Sequence, residues 1–397
     1  MLKTVKTTYI GPFIETAVLI LMAMGTVCVF SAGANVGIDY DLQHFYDFTT
    51  LKQILFFPLA VIIMYLASRI DYERFSFRGT LAAKSFTPYL LVLAIALLIL
   101  VLIPGVGVER HSVRRWLALA PGPVYVSFQP SELAKWALVF FLAAFVDKFA
   151  GSIKLYWRRF VPICLVAGVV VGLIVTQDFG TAAFITLLTF LMLVIGGACW
   201  WHFLTGLPIV LPAFYFAIVV SPTRINRIKT FLDPDVISYQ AKQSLIAISS
   251  GGIWGKGLGR GVCKYGHLPE DTTDFIFAII AEELGFVGAA FVIALFIAFV
   301  VLGIIIVIRC DNSFGRLLTG GIVLTIGIQA AMNIGVVMVI LPTKGIALPF
   351  ISAGGTGMLL SAGAVGVLLN IAKRVDTAGQ AGAASAGAVK QGGEIKR

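Results

Sequence analysis

Apolar positions in this chain form long uninterrupted runs. Ten of them, near 12–33, 50–69, 86–104, 131–147, 160–177, 180–199, 203–220, 284–308, 317–340 and 352–371, each hold 17 to 25 residues. A helix crossing a bilayer needs about 20 mostly apolar residues. The strands of an outer-membrane barrel would instead alternate apolar and polar residues. The pattern therefore predicts an all-α integral membrane protein of about ten transmembrane helices. One long polar interval, about 221–283, separates the seventh run from the eighth.

Composition agrees with the pattern. Of 397 residues, 59% are apolar and 13% charged, where a soluble domain is nearer half and a quarter. An ordinary soluble enzyme, a disordered chain and a disulfide scaffold are all excluded. The net charge is +10, which in a soluble chain would suggest nucleic acid as a partner. Here the excess sorts by side. With the N-terminus inside, 17 basic residues fall in cytoplasmic segments and 5 in short outer ones, the bias that sets orientation. No nucleic acid is expected, both termini face the cytoplasm, and the 221–283 loop is extracytoplasmic. Residues 1–375 form the membrane domain. Residues 376–397, rich in Gly, Ala, Ser and Gln, read as a disordered cytoplasmic tail.

The long loop carries most of the candidate chemistry. It contains Arg224, Arg227, Phe231-Leu-Asp-Pro234, Tyr239-Gln240, Gln243-Ser244 and Gly255-Lys-Gly-Leu-Gly-Arg-Gly261. Lys256 and Arg260 interleave with four glycines, a composition able to cradle a phosphate with backbone N–H groups and point charges. A flexible surface loop explains the glycines equally well. Pro269 suits the first turn of a helix, with Glu270 and Asp271 close to its positive end. The stretch 269–308 is too long for one straight crossing, and Gly285 and Gly288 offer a break. Residues 269–283 are therefore expected to form a half-helix at the interface. That would place Asp274 near membrane depth beside Phe275, Ile276 and Phe277. Desolvation there would raise the carboxylate toward a usable general base. A solvated helix cap is the alternative. Glu282 and Glu283 are expected to orient the helix end through partners in the loop.

Three further places stand out. Arg114-Arg115-Trp116 precedes Phe128-Gln-Pro-Ser-Glu132 and Lys135. Glu132 and Lys135 lie one turn apart on one helix face, and a charge inside a membrane helix marks function by default. An interfacial anchor explains the same residues. Asp178 sits in Thr176-Gln-Asp-Phe-Gly-Thr181 and reads as a turn residue. Between the last two spans, Leu341-Pro-Thr-Lys-Gly345 to Thr356 holds two prolines and several glycines. It suggests a re-entrant turn, tolerated only where buried in protein or wet.

Taken jointly, these motifs resemble the SEDS family, the shape, elongation, division and sporulation proteins of the FtsW, RodA and SpoVE type. The resemblance rests on Arg227, Phe-Leu-Asp-Pro234, Tyr-Gln240, Gln-Ser244, Gly-Leu-Gly259, Leu-Pro-Glu270, Thr-Asp-Phe-Ile-Phe-Ala278 and Glu-Glu-Leu-Gly285. It extends to Arg115-Trp116, Phe-Gln-Pro-Ser-Glu132, Lys135, Asp178-Phe-Gly-Thr181 and Pro-Thr-Lys-Gly345. It implies a peptidoglycan glycosyltransferase that polymerises lipid II on the outer face of the bacterial cytoplasmic membrane. Asp274 matches the family's essential loop aspartate and would be the base. Arg115, Lys135, Lys256 and Arg260 would hold diphosphate, with Glu132, Glu270, Gln240, Gln243, Glu283 and Lys344 in support. No ligand cluster specifies a cofactor, although a divalent cation (Mg2+ or Mn2+) would suit a diphosphate. The implied partners are lipid II, a class B penicillin-binding protein transpeptidase and other divisome or elongasome membrane proteins. Phe-Leu-Asp-Pro234 and Pro-Thr-Lys-Gly345 resemble FtsW more than RodA, which favours a septal role. An elongation polymerase, a lipid II flippase and a non-catalytic scaffold are the other readings. Gln177, Ser352-Ala-Gly-Gly-Thr-Gly357 and a longer stretch between Trp116 and Phe128 depart from the family pattern.

Overall fold

The computed structural model describes residues 10–33, 48–78, 84–110, 113–118, 127–233, 238–263, 272–342 and 344–394. All ten apolar runs are helices: α1 (Ile10–Gly33), α2 (Phe48–Arg69), α3 (Phe86–Leu102), α4 (Pro130–Lys148), α5 (Val161–Val175), α6 (Phe179–Ile195), α7 (Trp200–Val219), α10 (Ile276–Arg309), α11 (Ser313–Val337) and α12 (Gly355–Glu394). Within the long loop lie α8 (Pro222–Leu232) and α9 (Tyr239–Gly251). Among the described residues seven helices are long and apolar enough to cross a membrane, and α3 and α6 are shorter apolar helices. The exception is α4, whose Glu132, Lys135, Asp147 and Lys148 sit at its two ends. It is the central helix of the bundle, with 15 of its 19 residues buried. A helix that meets protein on every side can carry paired charges that a lipid-facing one cannot. At the other extreme, α7 has no buried residue.

Around α4, the helix α2 runs against α12, and α10 packs on α1, α9 and α11. Glu15, the isolated acid of the first span, accepts a hydrogen bond from the Tyr65 hydroxyl, which ties α1 to α2. The helix α12 continues to Glu394, past the point where an aperiodic tail was expected. Alanine is the best helix former, and its frequency after residue 377 carries the ladder through the interspersed glycines.

The chain is not purely helical. Between α3 and α4 lies a small antiparallel sheet, β1 (Gly107–Arg110), β2 (Val113–Ala118) and β3 (Ser127–Phe128), in the order β1-β2-β3. Neighbouring side chains of a strand point to opposite faces. Arg114 accordingly reaches Glu109 of β1 at 3.1 Å, while Arg115 turns toward the start of α6. Residues read as an interfacial loop are thus a strand that aims one arginine inward.

The expected break in the long helical run occurs at Gly285, whose φ of 67° and ψ of −166° interrupt α10. The half-helix begins at Ile276 rather than 269, so Asp274 lies in the turn just before it. Glu270, like residues 264–271 generally, falls outside the described residues. A broken helix leaves carbonyls and N–H groups without partners. Here the segment after α9 supplies them. Lys256 N and Gly257 N donate to Glu282 O and Glu283 O at 3.0 and 2.9 Å, and Phe286 N and Val287 N donate to Gly252 O and Ile253 O at 2.9 and 3.2 Å.

The segment between α11 and α12 dips into the protein, as a re-entrant turn should. Ile346, Leu348, Phe350, Ile351 and Ser352 are buried. Val339 and Phe350, both within it, are the described non-glycine residues with positive φ. Such strain persists only where the surroundings fix it.

Candidate active site

The site is assembled from pieces that are distant in sequence. Asp274 comes from the turn before α10, Lys344 and Gly345 from the re-entrant segment, and Arg115 and Asp178 from β2 and the start of α6. A crevice of about 100 Å³ is lined by Arg115, Asp178, Arg224, Arg227, Lys344 and Gly345 with neighbouring apolar residues. Four cations therefore face one cavity.

Three of them are held in place. The Arg115 guanidinium donates from Nε to Gln177 O at 2.8 Å and lies 3.6 Å from Asp178 Oδ2. Arg114 N donates to the Gln177 side chain at 2.8 Å, so Gln177 is the clip between β2 and α6. Asp178 is buried and caps α6, accepting from Thr181 N at 3.0 Å. It is both the expected turn residue and an anchor for Arg115. From α8, Arg224 donates to Ala217 O at 2.7 Å and to Val175 O and Thr176 O at 3.1 Å. Burial, and after it the nearby Arg115 charge, lower the Arg224 pKa. The Lys344 ammonium lies 5.6 Å over the Phe179 ring. Burial pulls its pKa below the ordinary value, and Asp178 opposes the shift. Crowded, partly desolvated cations of this kind gain most from an anionic ligand.

Asp274 stands at the edge of this crevice. A Cβ built on Gly345, which lines the crevice, would fall 2.8 Å from Asp274 Oδ2. The Asp274 carboxylate is half-buried, a niche between water and the buried Phe275, Ile276 and Phe277. One carboxylate next to a cluster of cations can take a proton from a hydroxyl while the cations hold developing negative charge.

Other predicted residues stand elsewhere. Lys135 is 1% exposed and donates to Glu132 Oε2 at 2.7 Å and Gln329 Oε1 at 2.8 Å. It is a core pillar behind the site, not a lining group of the crevice. Gln329 in turn donates to Ala347 O at 2.9 Å, so the pillar reaches the re-entrant segment. The glycine-rich 255–261 stretch does cradle an anion, but the anion belongs to the chain. Glu282 takes Lys256 Nζ at 2.6 Å, Val262 N at 2.9 Å and Cys263 N at 3.2 Å. Glu283 takes Ser31 Oγ at 2.6 Å and Gly261 N at 3.4 Å. Lys256 is thereby engaged with Glu282 rather than facing the crevice, and Arg260 is exposed on the same loop. Glu282 and Glu283 do orient the helix end, as expected. Gln240 and Gln243 lie half-buried on α9 and do not line the crevice. The anchor of α9 is instead Ser244, which donates to Val337 O at 2.6 Å.

Nothing in the spacing of Arg224 and Arg227 distinguishes them in the sequence from solvated arginines. Among the described residues no group of three His, Cys, Asp or Glu side chains is placed to hold a metal ion. The positive charge at the crevice comes from side chains.

The fold and this site define a polytopic membrane protein with an acid–cation crevice at one end of its bundle. The profile of the "Cell cycle protein" family, FtsW/RodA/SpoVE, matches residues 13–377, and the chain belongs to that family. It is 35% identical over 369 residues to the probable peptidoglycan glycosyltransferase FtsW of Coxiella burnetii, covering 91% of this chain and 95% of that protein. It is 36% identical over 360 residues to stage V sporulation protein E of Bacillus subtilis, covering 89% and 94%. Among solved structures, one chain described under the structural coordination of polymerization and crosslinking by a peptidoglycan synthase complex superposes with a TM-score of 0.70. It shares 25% identity and covers 91% of this chain and 97% of its own. The rod shape determining protein RodA of Thermus thermophilus gives 0.63 at 25% identity, covering 91% and 95%.

Proposed function

We propose that this chain is a peptidoglycan glycosyltransferase that polymerises lipid II on the outer face of the cytoplasmic membrane, in the septal role of its FtsW relatives. The observation that carries the reading is the Asp274 carboxylate at the rim of a crevice faced by Arg115, Arg224, Arg227 and Lys344.

The acceptor sugar's 4-hydroxyl attacks the anomeric carbon of the donor. The new glycosidic bond forms as the bond to undecaprenyl diphosphate breaks, with inversion at that carbon. Asp274 takes the hydroxyl proton, and the diphosphate leaves with the bonding pair. The leaving group is already good, so the protein's work is to hold two lipids in register, deprotonate one hydroxyl and stabilise diphosphate charge. Arg115, Arg224, Arg227 and Lys344 serve the last task. This replaces Lys256 and Arg260, and it leaves Lys135 to support the re-entrant segment from behind. An Mg2+ or Mn2+ ion would add charge at the diphosphate, and chelator titration in the same assay reads that contribution.

The membrane orientation that fits is both termini inside, with α8, α9 and the crevice outside. The partner that fits is a class B penicillin-binding protein, as the crosslinking half of a synthase complex. A flippase would need a polar path through the bundle. Among the described residues, the charged groups buried in the spans, Lys135, Asp147, Glu282 and Glu283, are instead paired within the protein.

The test is to incubate the full chain with lipid II and its cognate class B transpeptidase, following glycan strands on gels and lipid II translocation in vesicles. Strand formation, lost on Arg115→Ala plus Arg224→Ala, supports the reading. Translocation without strands would replace it with the flippase.

A further inference from the structure

We propose that Asn333 and Gly345 are positioning residues that fix Asp274 at the rim of the crevice, one from behind and one from the side. The inference rests on the reading of Asp274 as the base.

A base must be held to a fraction of an ångström to act, and a misplacement of about 1 Å costs on the order of 100-fold in rate. Residues 272–274 form a turn ahead of α10 and lie outside its hydrogen-bond ladder. Their carbonyls are bound from outside instead. Ala353 N donates to Thr272 O at 2.9 Å, and Ser352 Oγ donates to Thr273 O at 2.5 Å. Asn333 Nδ2 donates to Asp274 O at 2.8 Å and to Ile346 O at 2.7 Å. Both protons of one amide group are engaged, one on the base's own backbone and one on the residue after Gly345. Asn333 is 1% exposed, on the rigid α11, four residues from the Gln329 that binds Ala347 O. The two side chains share a helix face and together clamp the re-entrant segment beside the turn.

Gly345 closes the arrangement from the side. The place its Cβ would take lies 2.8 Å from Asp274 Oδ2. Its φ is outside the left-handed region, so glycine is not required for the backbone there. What it provides is the room in which the carboxylate sits. Because Gly345 also lines the crevice, the same contact sets the spacing between the base and the cations.

The test compares Asn333→Ala and Gly345→Ala with Asn370→Ala in the reconstituted polymerisation assay, with thermal unfolding of each protein measured in parallel. Asn370 is a matched control at the other end of the bundle, donating to Ser68 O at 2.9 Å and accepting from Tyr72 N at 3.3 Å. The expected result is a fall in kcat of on the order of 10- to 100-fold for Asn333→Ala and Gly345→Ala, with KM within about twofold of the parent. Asn370→Ala should keep its kcat whatever its melting temperature. Gly345→Ala adds only a methyl and deletes no hydrogen bond, so it carries the test if Asn333→Ala does not fold. An unchanged kcat in both variants, or an equal loss in Asn370→Ala, overturns the proposal. A loss in one variant only overturns the assignment of the other. Asp274→Asn run alongside separates the levels. If it polymerises normally, the base assignment itself is wrong. If it is inactive while both positioning variants are normal, only this inference fails.

Discussion

Replacing Gly285 by Ala should unlock the half-helix that presents the site. The φ of 67° and ψ of −166° at this residue fall in a region almost confined to glycine and cost an alanine about 1–3 kcal/mol. The added methyl would fall 2.3 Å from Gly255 N and 2.5 Å from Ile253 O. Both are backbone atoms, so no rotamer change relieves the contact and the 252–257 segment must move away. Four backbone hydrogen bonds join that segment to the break, at 2.9 to 3.2 Å. Each is worth about 1 kcal/mol net, so losing half of them adds about 2. The total, about 3–5 kcal/mol, should lower the melting temperature by on the order of 5–10 °C. The assay is thermal unfolding of the detergent-purified chain, with hydrogen exchange at the 282–287 amides. Gly168→Ala is the control, because a Cβ there meets nothing within 4 Å and a helical Gly→Ala change is neutral or mildly stabilising. If Gly285→Ala unfolds at the same temperature as Gly168→Ala, with unchanged exchange, the break is not the joint described here.

Three further outcomes follow from the same geometry. Burial, and after it the Glu282 carboxylate, push the Cys263 thiol up to about 11. With the other four cysteines replaced, Cys263 should alkylate about 100-fold more slowly than a free thiol near pH 8, and Lys256→Ala, which removes the cation that partly opposes the shift, should slow it further; equal rates with and without Lys256 would contradict this. The Lys344 ammonium is held below its ordinary pKa, so folding favours its neutral form. Its contribution to stability rises with pH between the lowered and the unfolded value, while inorganic pyrophosphate binding, read by calorimetry, weakens over that range and persists to higher pH in Lys344→Arg. Arg224→Ala should raise KM for lipid II more than it lowers kcat, since Arg224 faces the crevice and not the reacting hydroxyl; the opposite split, measured from initial rates, would place it at the bond being made.

The ten helices were legible because a bilayer imposes one length and one polarity on each span. Gly285 was legible too, since a 40-residue run cannot cross once. What escaped the sequence was pairing. Lys256 among four glycines reads as a phosphate cradle, and only the fold reveals that Glu282, 26 residues on, already fills it. Lys135 reads as a site cation, yet its partner Gln329 lies 194 residues away. Arg114 and Arg115 look equivalent in a loop, and the pleat of β2 separates them. Asn333, inside the ninth apolar run, carried no charge or periodic signal that would mark it as the donor to Asp274.

The most direct measurement is polymerisation of lipid II by Asp274→Asn in the reconstituted complex, with lipid II binding measured on the same preparation. The account predicts binding within a few-fold of the parent and a kcat lower by about 10²–10⁴. A near-parental kcat in well-folded Asp274→Asn would contradict it.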